Sequence, residues 1–200
     1  MKGIQNMKKL SREMLYPLEQ YARMRNEFRA KVMAHKTHRR VPVGPHATLY
    51  FEDQLTMHYQ VQEMLRVERI FEDEGILEEI EAYNPLIPDG SNWKATFMIQ
   101  YDDEGERRTA LASMIGIEDR VWVKVGEYAH VWAVADEDLE RENAQKTSSV
   151  HFLRFELTPE MVAAAKAGVA IGVGIEHPAY CHQVDPIADD VRASLVQDLA

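Results

Sequence analysis

The sequence predicts an α+β fold, with N-terminal helices packed on a C-terminal, mainly antiparallel β-sheet. Three observations carry that expectation. Apolar residues recur at helical spacing at Leu18, Tyr21, Phe28 and Val32, and again at Met57, Val61, Met64 and Leu65. The segment Tyr83-Asn84-Pro85-Leu86-Ile87-Pro88-Asp89-Gly90 then breaks the pattern with a Pro-Asp-Gly turn. Beyond it the period falls to two, most clearly in Val150-His151-Phe152-Leu153-Arg154-Phe155-Glu156-Leu157. A chain of 200 residues fits one domain, with 1–6 a disordered extension, 7–83 mainly helical and 93–200 rich in β-structure.

The helical part reads in order as follows. Ser11 suits the cap of a short first helix, and Pro17 the first turn of a longer one that runs to about Thr37. Arg29 to Arg40 is basic and free of acids; the cations suit a helix C-terminus, and they also offer an anion or partner site. Val41 to His46 is non-helical because two prolines and a glycine interrupt it, and Ala47 to Phe51 reads as a strand. A helix starting near Asp53 to Thr56 follows, and Tyr59 to Phe71 belongs to it. Its apolar side carries Met57, Val61, Met64, Leu65 and Phe71, and a second side gathers Tyr59, Gln62, Glu63 and Arg66. An acidic stretch from Glu72 to Glu81 supports a further short helix.

In the β-rich part, Ala95 to Tyr101 and Arg107 to Met114 read as one hairpin. Arg120 to Val125 and His130 to Val134 read as a second, turning at Gly126-Glu127. Val150 to Leu157 is a strand, and Thr158-Pro159-Glu160 opens a helix to Ala167. Val169 to Glu176 is a last strand and Asp190 to Leu199 a final helix. The apolar face of such a sheet needs a cover, and the helix around Glu63 is the expected one.

The totals exclude several functions. A net charge of −10 argues against nucleic acid and acidic membrane as partners. The single cysteine, Cys181, forbids an internal disulfide, a thiol–disulfide motif and an iron–sulfur cluster. There is no apolar leader and no apolar run of the ~20 residues that cross a bilayer, so a cytoplasmic location is expected. Sheet edges make a homodimer the default. Glu127-Tyr128-Ala129-His130 spells a Glu-x-x-His pair in a predicted turn, whereas a di-iron bundle needs two on facing helices. Trp93, Trp122 and Trp132 suit either a core or a ligand pocket.

Gly44-Pro45-His46, Tyr59-Gln60-x-Gln62-Glu63-Met64-Leu65-Arg66, Asn84 to Gly90, His151 to Leu157 and His177-Pro178-x-Tyr180, in that order, resemble one bacterial family. It is known as domain of unknown function number three-five-zero-one. The likeness runs from about Met7 to Leu199. It implies no activity, but it implies a setting, since genes of the family often neighbour those of rubrerythrin-like and iron–sulfur proteins. The histidines and the acid in those strings suggest a mononuclear iron or zinc site at His46, Glu63, His151 and His177. Tyr59, Arg66 and Tyr180 would stand around it, with Tyr59 and Tyr180 also available to a cofactor.

Three functions follow from this reading. One is a metal- or cofactor-binding accessory protein in redox metabolism or oxidative stress, with a rubrerythrin-like or iron–sulfur partner. Another is a non-catalytic interaction module that uses Arg29 to Arg40, including Arg39 and Arg40. The third is a small-molecule enzyme with Glu63 as general base, assisted by Arg66, which requires a raised carboxylate pKa.

Overall fold

The structure is a computed structural model that describes residues 8–139, 141, 143 and 145–200. Helix α1 (Leu18–Thr37) buries Tyr21, Phe28 and Val32, with Pro17 at its N-cap. Strands β1 (Arg40–Val43) and β2 (Ala47–Glu52) pair antiparallel. Gly44 turns between them at φ 74°, and a Cβ there would strike His182 and Tyr180, so only glycine fits both the turn and its neighbours.

Helix α2 (Gln54–Glu68) begins where Asp53 and Thr56 form a capping box. Thr56 N donates to Asp53 Oδ1 at 3.0 Å, and Asp53 N donates to Thr56 Oγ1 at 2.9 Å. The helix stops at Glu68, because Arg69 takes the left-handed conformation at φ 58°. Phe71 therefore lies outside it and is exposed, not part of the buried stripe that Met57, Val61 and Leu65 do form. Helix α3 (Asp73–Tyr83) completes the helical layer.

The β-rich part holds two sheets where one was expected. Strands β3 (Asn92–Ile99), β7 (Val150–Glu156) and β6 (Val134–Ala135) extend the first pair, in the order β1-β2-β3-β7-β6. The second sheet has the order β5-β4-β8-β9, from β4 (Val121–Val125), β5 (Val131–Trp132), β8 (Ile171–His177) and β9 (Tyr180–Val184). Strand β9 has no place in the sequence reading. The expected hairpin at 107–114 is instead helix α4 (Glu104–Ser113). Asp103 caps it, accepting from Glu106 N at 2.8 Å, and Arg107 to Leu111 is rich in good helix formers. Helix α5 (Pro159–Lys166) starts at Thr158 as the sequence indicates, and α6 (Asp189–Leu195) ends the chain with a 3-10 turn, Val196–Asp198.

The inner faces of the two sheets share one core, with Leu49, Phe51, Trp93, Phe97 and Phe155 meeting Val121, Val123, Ile171 and Val173. The second sheet, not the helix around Glu63, covers the apolar face of the first. Helix α2 packs instead into a separate cluster with Leu10, Leu15, Ile76, Ile80 and Ile87. Trp93 and Trp122 are core residues and Trp132 is partly exposed. Among the described residues no helix is long and apolar enough to cross a membrane.

Arg39 joins these layers. Its side chain is only 1% exposed. Nε donates to Phe51 O at 2.9 Å and Nη2 to Glu52 O at 3.0 Å, both on β2. Nη2 also reaches Asp198 Oδ2 at 2.5 Å, and Nη1 lies 3.6 Å from Asp53 Oδ2. Nη1 donates to Ser194 Oγ at 3.2 Å. Burial pushes the Asp198 carboxyl up to about 6, against the pull of Arg39. Burial would raise Asp53 too, but His35, Arg39 and the backbone of Thr56 hold it at about 2. Arg39→Met should lower stability in urea unfolding by about 3–5 kcal/mol, because it strands buried acids. Arg39→Lys should recover little of that loss, since an ammonium lacks the planar fork that serves several acceptors.

Candidate functional site

Strand alternation sets the site. His151, Leu153 and Phe155 point from β7 into the core, and a histidine placed there is fully buried and needs partners for both ring nitrogens. Nδ1 lies 2.6 Å from Asp136 Oδ2. Asp136 sits just past β6 at φ 48°, a left-handed conformation that a short polar residue tolerates. Its other oxygen accepts from Phe152 N at 2.9 Å and Arg141 Nη1 at 3.1 Å. On the far side of the ring, Nε2 lies 2.9 Å from Thr147 Oγ1, 3.1 Å from Ser148 O and 3.7 Å from Glu118 Oε2. Thr147 Oγ1 donates to Glu118 Oε2 at 3.3 Å. The ligand-type atoms of Glu118, Asp136 and His151 lie within 4.8 Å of one another, the single such group among the described residues.

Of the four residues read from the sequence as a metal set, this group contains His151. His46, Glu63 and His177 stand elsewhere with partners of their own. His46 stacks on Tyr101 at 3.9 Å and its Nδ1 lies 3.1 Å from Gln100 O. His177 Nδ1 accepts from Ala179 N at 3.2 Å, so its Nε2 carries the proton that faces Ile115 O at 3.1 Å. Tyr180 donates to Val43 O at 2.7 Å and accepts from His46 N at 2.9 Å, which ties β9 to the β1–β2 turn. Tyr59 packs against Phe28 in the helical layer.

Glu63 clasps α2 to α1. Arg25 holds it with two hydrogen bonds, at 2.8 Å and 2.7 Å, and Tyr21 donates to it at 2.7 Å. Arg66 adds a 3.2 Å contact from one turn away. Beside it, Gln62 is fully buried, its amide paired with the backbone N and O of Tyr16 at 3.0 Å each. The Arg25 hydrogen bonds, with those of Tyr21 and Arg66, outweigh burial and hold the Glu63 carboxyl down at about 2. Burial and the adjacent carboxylate push the Tyr21 hydroxyl up. Work as a general base near neutrality asks for the opposite shift on Glu63. The basic run is also partly consumed, because Arg39 is buried while Arg29, Lys31 and Arg40 remain exposed.

Glu118, Asp136 and Thr147 belong to no motif, so spacing in the sequence could not nominate them. The available signal was His151 at an inward position of an alternating strand. Glu63→Gln should weaken the α1–α2 clasp by about 1–3 kcal/mol at neutral pH. A carboxylate whose pKa is depressed from 4.5 to about 2 contributes fully above pH 4.5, and the contribution fades as pH falls toward 2. The stabilities of wild type and Glu63→Gln, followed by urea unfolding across that range, should therefore converge on the acid side.

The comparison with curated proteins finds no match. A crystal structure of a novel protein of unknown function from Burkholderia pseudomallei K96243 is 51% identical to this chain, covers 96% of it and 100% of its own length, and superposes with a TM-score of 0.91. The sequence profile described as "Protein of unknown function (DUF3501)" matches residues 9–199. With the match spanning both the helical layer and the two sheets, the chain belongs to the DUF3501 family of proteins of unknown function.

Proposed function

We propose that the protein binds a divalent transition metal at His151 Nε2 and Glu118, with Asp136 holding the ring through Nδ1, and that it acts as an accessory protein in redox metabolism. The observation that supports this is the convergence of three ligand-type side chains, from three separate segments, at one buried point. An imidazole and a carboxylate as ligands, with a second carboxylate behind the ring, suit iron or zinc. Asp136 orients the ring through Nδ1 and leaves Nε2 turned toward Glu118 and Thr147, the arrangement in which a carboxylate steers a ligating histidine. The redox setting, with a rubrerythrin-like or iron–sulfur partner, rests on the family resemblance.

A second reading has its own support. The row Asp136–His151–Thr147–Glu118 satisfies every donor if both ring nitrogens are protonated and the Thr147 hydroxyl passes its hydrogen to Glu118. In that form the cluster is a clasp that pins Asp136, Thr147 and Ser148 to β7 without an ion.

The two readings separate in one experiment. Chelator-stripped protein is offered zinc(II), iron(II) or cobalt(II), desalted and assayed for metal by mass spectrometry, with thermal melting in parallel. The metal reading expects about one ion retained per chain and a raised melting temperature. His151→Ala and Glu118→Gln should abolish retention, and His46→Ala and His177→Ala should leave it unchanged. Wild-type protein that retains none of the metals and melts at the same temperature with and without them rejects the metal reading in favour of the clasp.

A further inference from the structure

The outer face of the five-stranded sheet carries a charge arrangement that its neighbours do not explain. Lys94 on β3 stands directly opposite Arg154 on β7, so two cations sit side by side across the strands. Like charges in that position are destabilising. Arg154 is neutralised by Glu137, at 2.8 Å, and by Glu156, at 2.8 Å. Lys94 has no acid in direct contact, and Glu137 and Asp89 act on it only at longer range. Among the described residues it has neither an ion-pair nor a hydrogen-bond partner, although it is half-buried. On its other flank Glu52 stands opposite it across β2, but that carboxylate accepts from Thr96 at 2.7 Å with one oxygen, and its other oxygen is buried without a partner.

Lys94 lies in a cleft of about 270 Å³ between the end of α3 and the sheet. The walls are mainly apolar, formed by Tyr83, Pro85, Leu86 and Phe152, with Arg154 beside the ammonium. Glu137 and Asp138 stand at the same cleft and add negative charge to its lining. Burial and then the neighbouring Arg154 lower the pKa of Lys94, and the opposing pull of Glu137 and Asp89 does not cancel them, as expected of an ammonium with no acid in direct contact. A cation held on an apolar-walled floor is the arrangement that recognises an anion attached to an apolar body. The cleft volume is at the small end of ligand pockets, and the two acids would repel a ligand of higher negative charge.

We propose that this cleft binds a small monocarboxylate with an aromatic or branched aliphatic body, its carboxylate on Lys94 and its body between Tyr83, Leu86 and Phe152. This site is on the opposite face of β7 from His151 and does not depend on the metal reading.

The test is an NMR titration of the whole protein with benzoate and isovalerate, each run beside its neutral amide. The proposal expects saturable shifts at Tyr83, Leu86 and Phe152 with the acids, and binding of the amides weaker by about tenfold or more. Lys94→Met should weaken the acids by a similar factor and leave the amides unchanged. That variant also removes the like-charge contact with Arg154, so its melting temperature should hold or rise. If it fails to fold, the acid-against-amide comparison on wild type decides alone. Equal binding of acid and amide, no saturable shift with either acid up to about 20 mM, or shifts scattered over exposed lysines would overturn the proposal.

Discussion

The fold depends on a single buried guanidinium. Arg39 sits at the junction of the helical layer, the five-stranded sheet and the C-terminal turn, and touches all three. Its five donors in a rigid plane let it serve two backbone carbonyls and the acids Asp53 and Asp198 together. Asp53 is also the N-cap of α2, so the charge network and the start of that helix are fixed by one side chain. An apolar residue there would give up this geometric specificity, because hydrophobic contacts are not directional.

Much of the architecture was legible in the chain. The spacing of Leu18 to Val32 gave α1, the helical pattern placed the start of α2 near Asp53 to Thr56, and the clean alternation of Val150 to Leu157 gave β7. The misreadings have physical causes. Residues 107–114 follow a turn-like acidic stretch that looks like a hairpin tip, yet Asp103 uses its side chain to cap a helix. Phe71 fits the helical period by counting, but the left-handed turn at Arg69 ends the helix before it. The second sheet was hidden because alternation shows which residues face inward, not what they face.

The candidate cluster shows the same limit at finer scale. His151 was nominated from the family-like strings, and in the structure its inward imidazole is satisfied by partners on both sides. Its partners come from a 3-10 turn, a strand end and a connection, at Glu118, Asp136 and Thr147. No local pattern reports that meeting. Glu63 illustrates the reverse case: it lies on a polar helix face that the sequence singled out, and the structure spends it on Arg25 and Tyr21. Lys94 was passed over altogether, since its meaning lies in the residue across the strand.

The short strands β5 and β6 belong to different sheets with only Ala133 between them. Ala133 N donates to Val121 O in one sheet at 2.9 Å, and Asp136 N donates to Phe152 O in the other at 2.8 Å. The backbone thus crosses from one layer to the other without slack. Neither sheet can open its ladder at this corner without dragging the other. Amide protons of β4 and β7 should therefore share one opening transition, and the sandwich should exchange with solvent as a single cooperative unit.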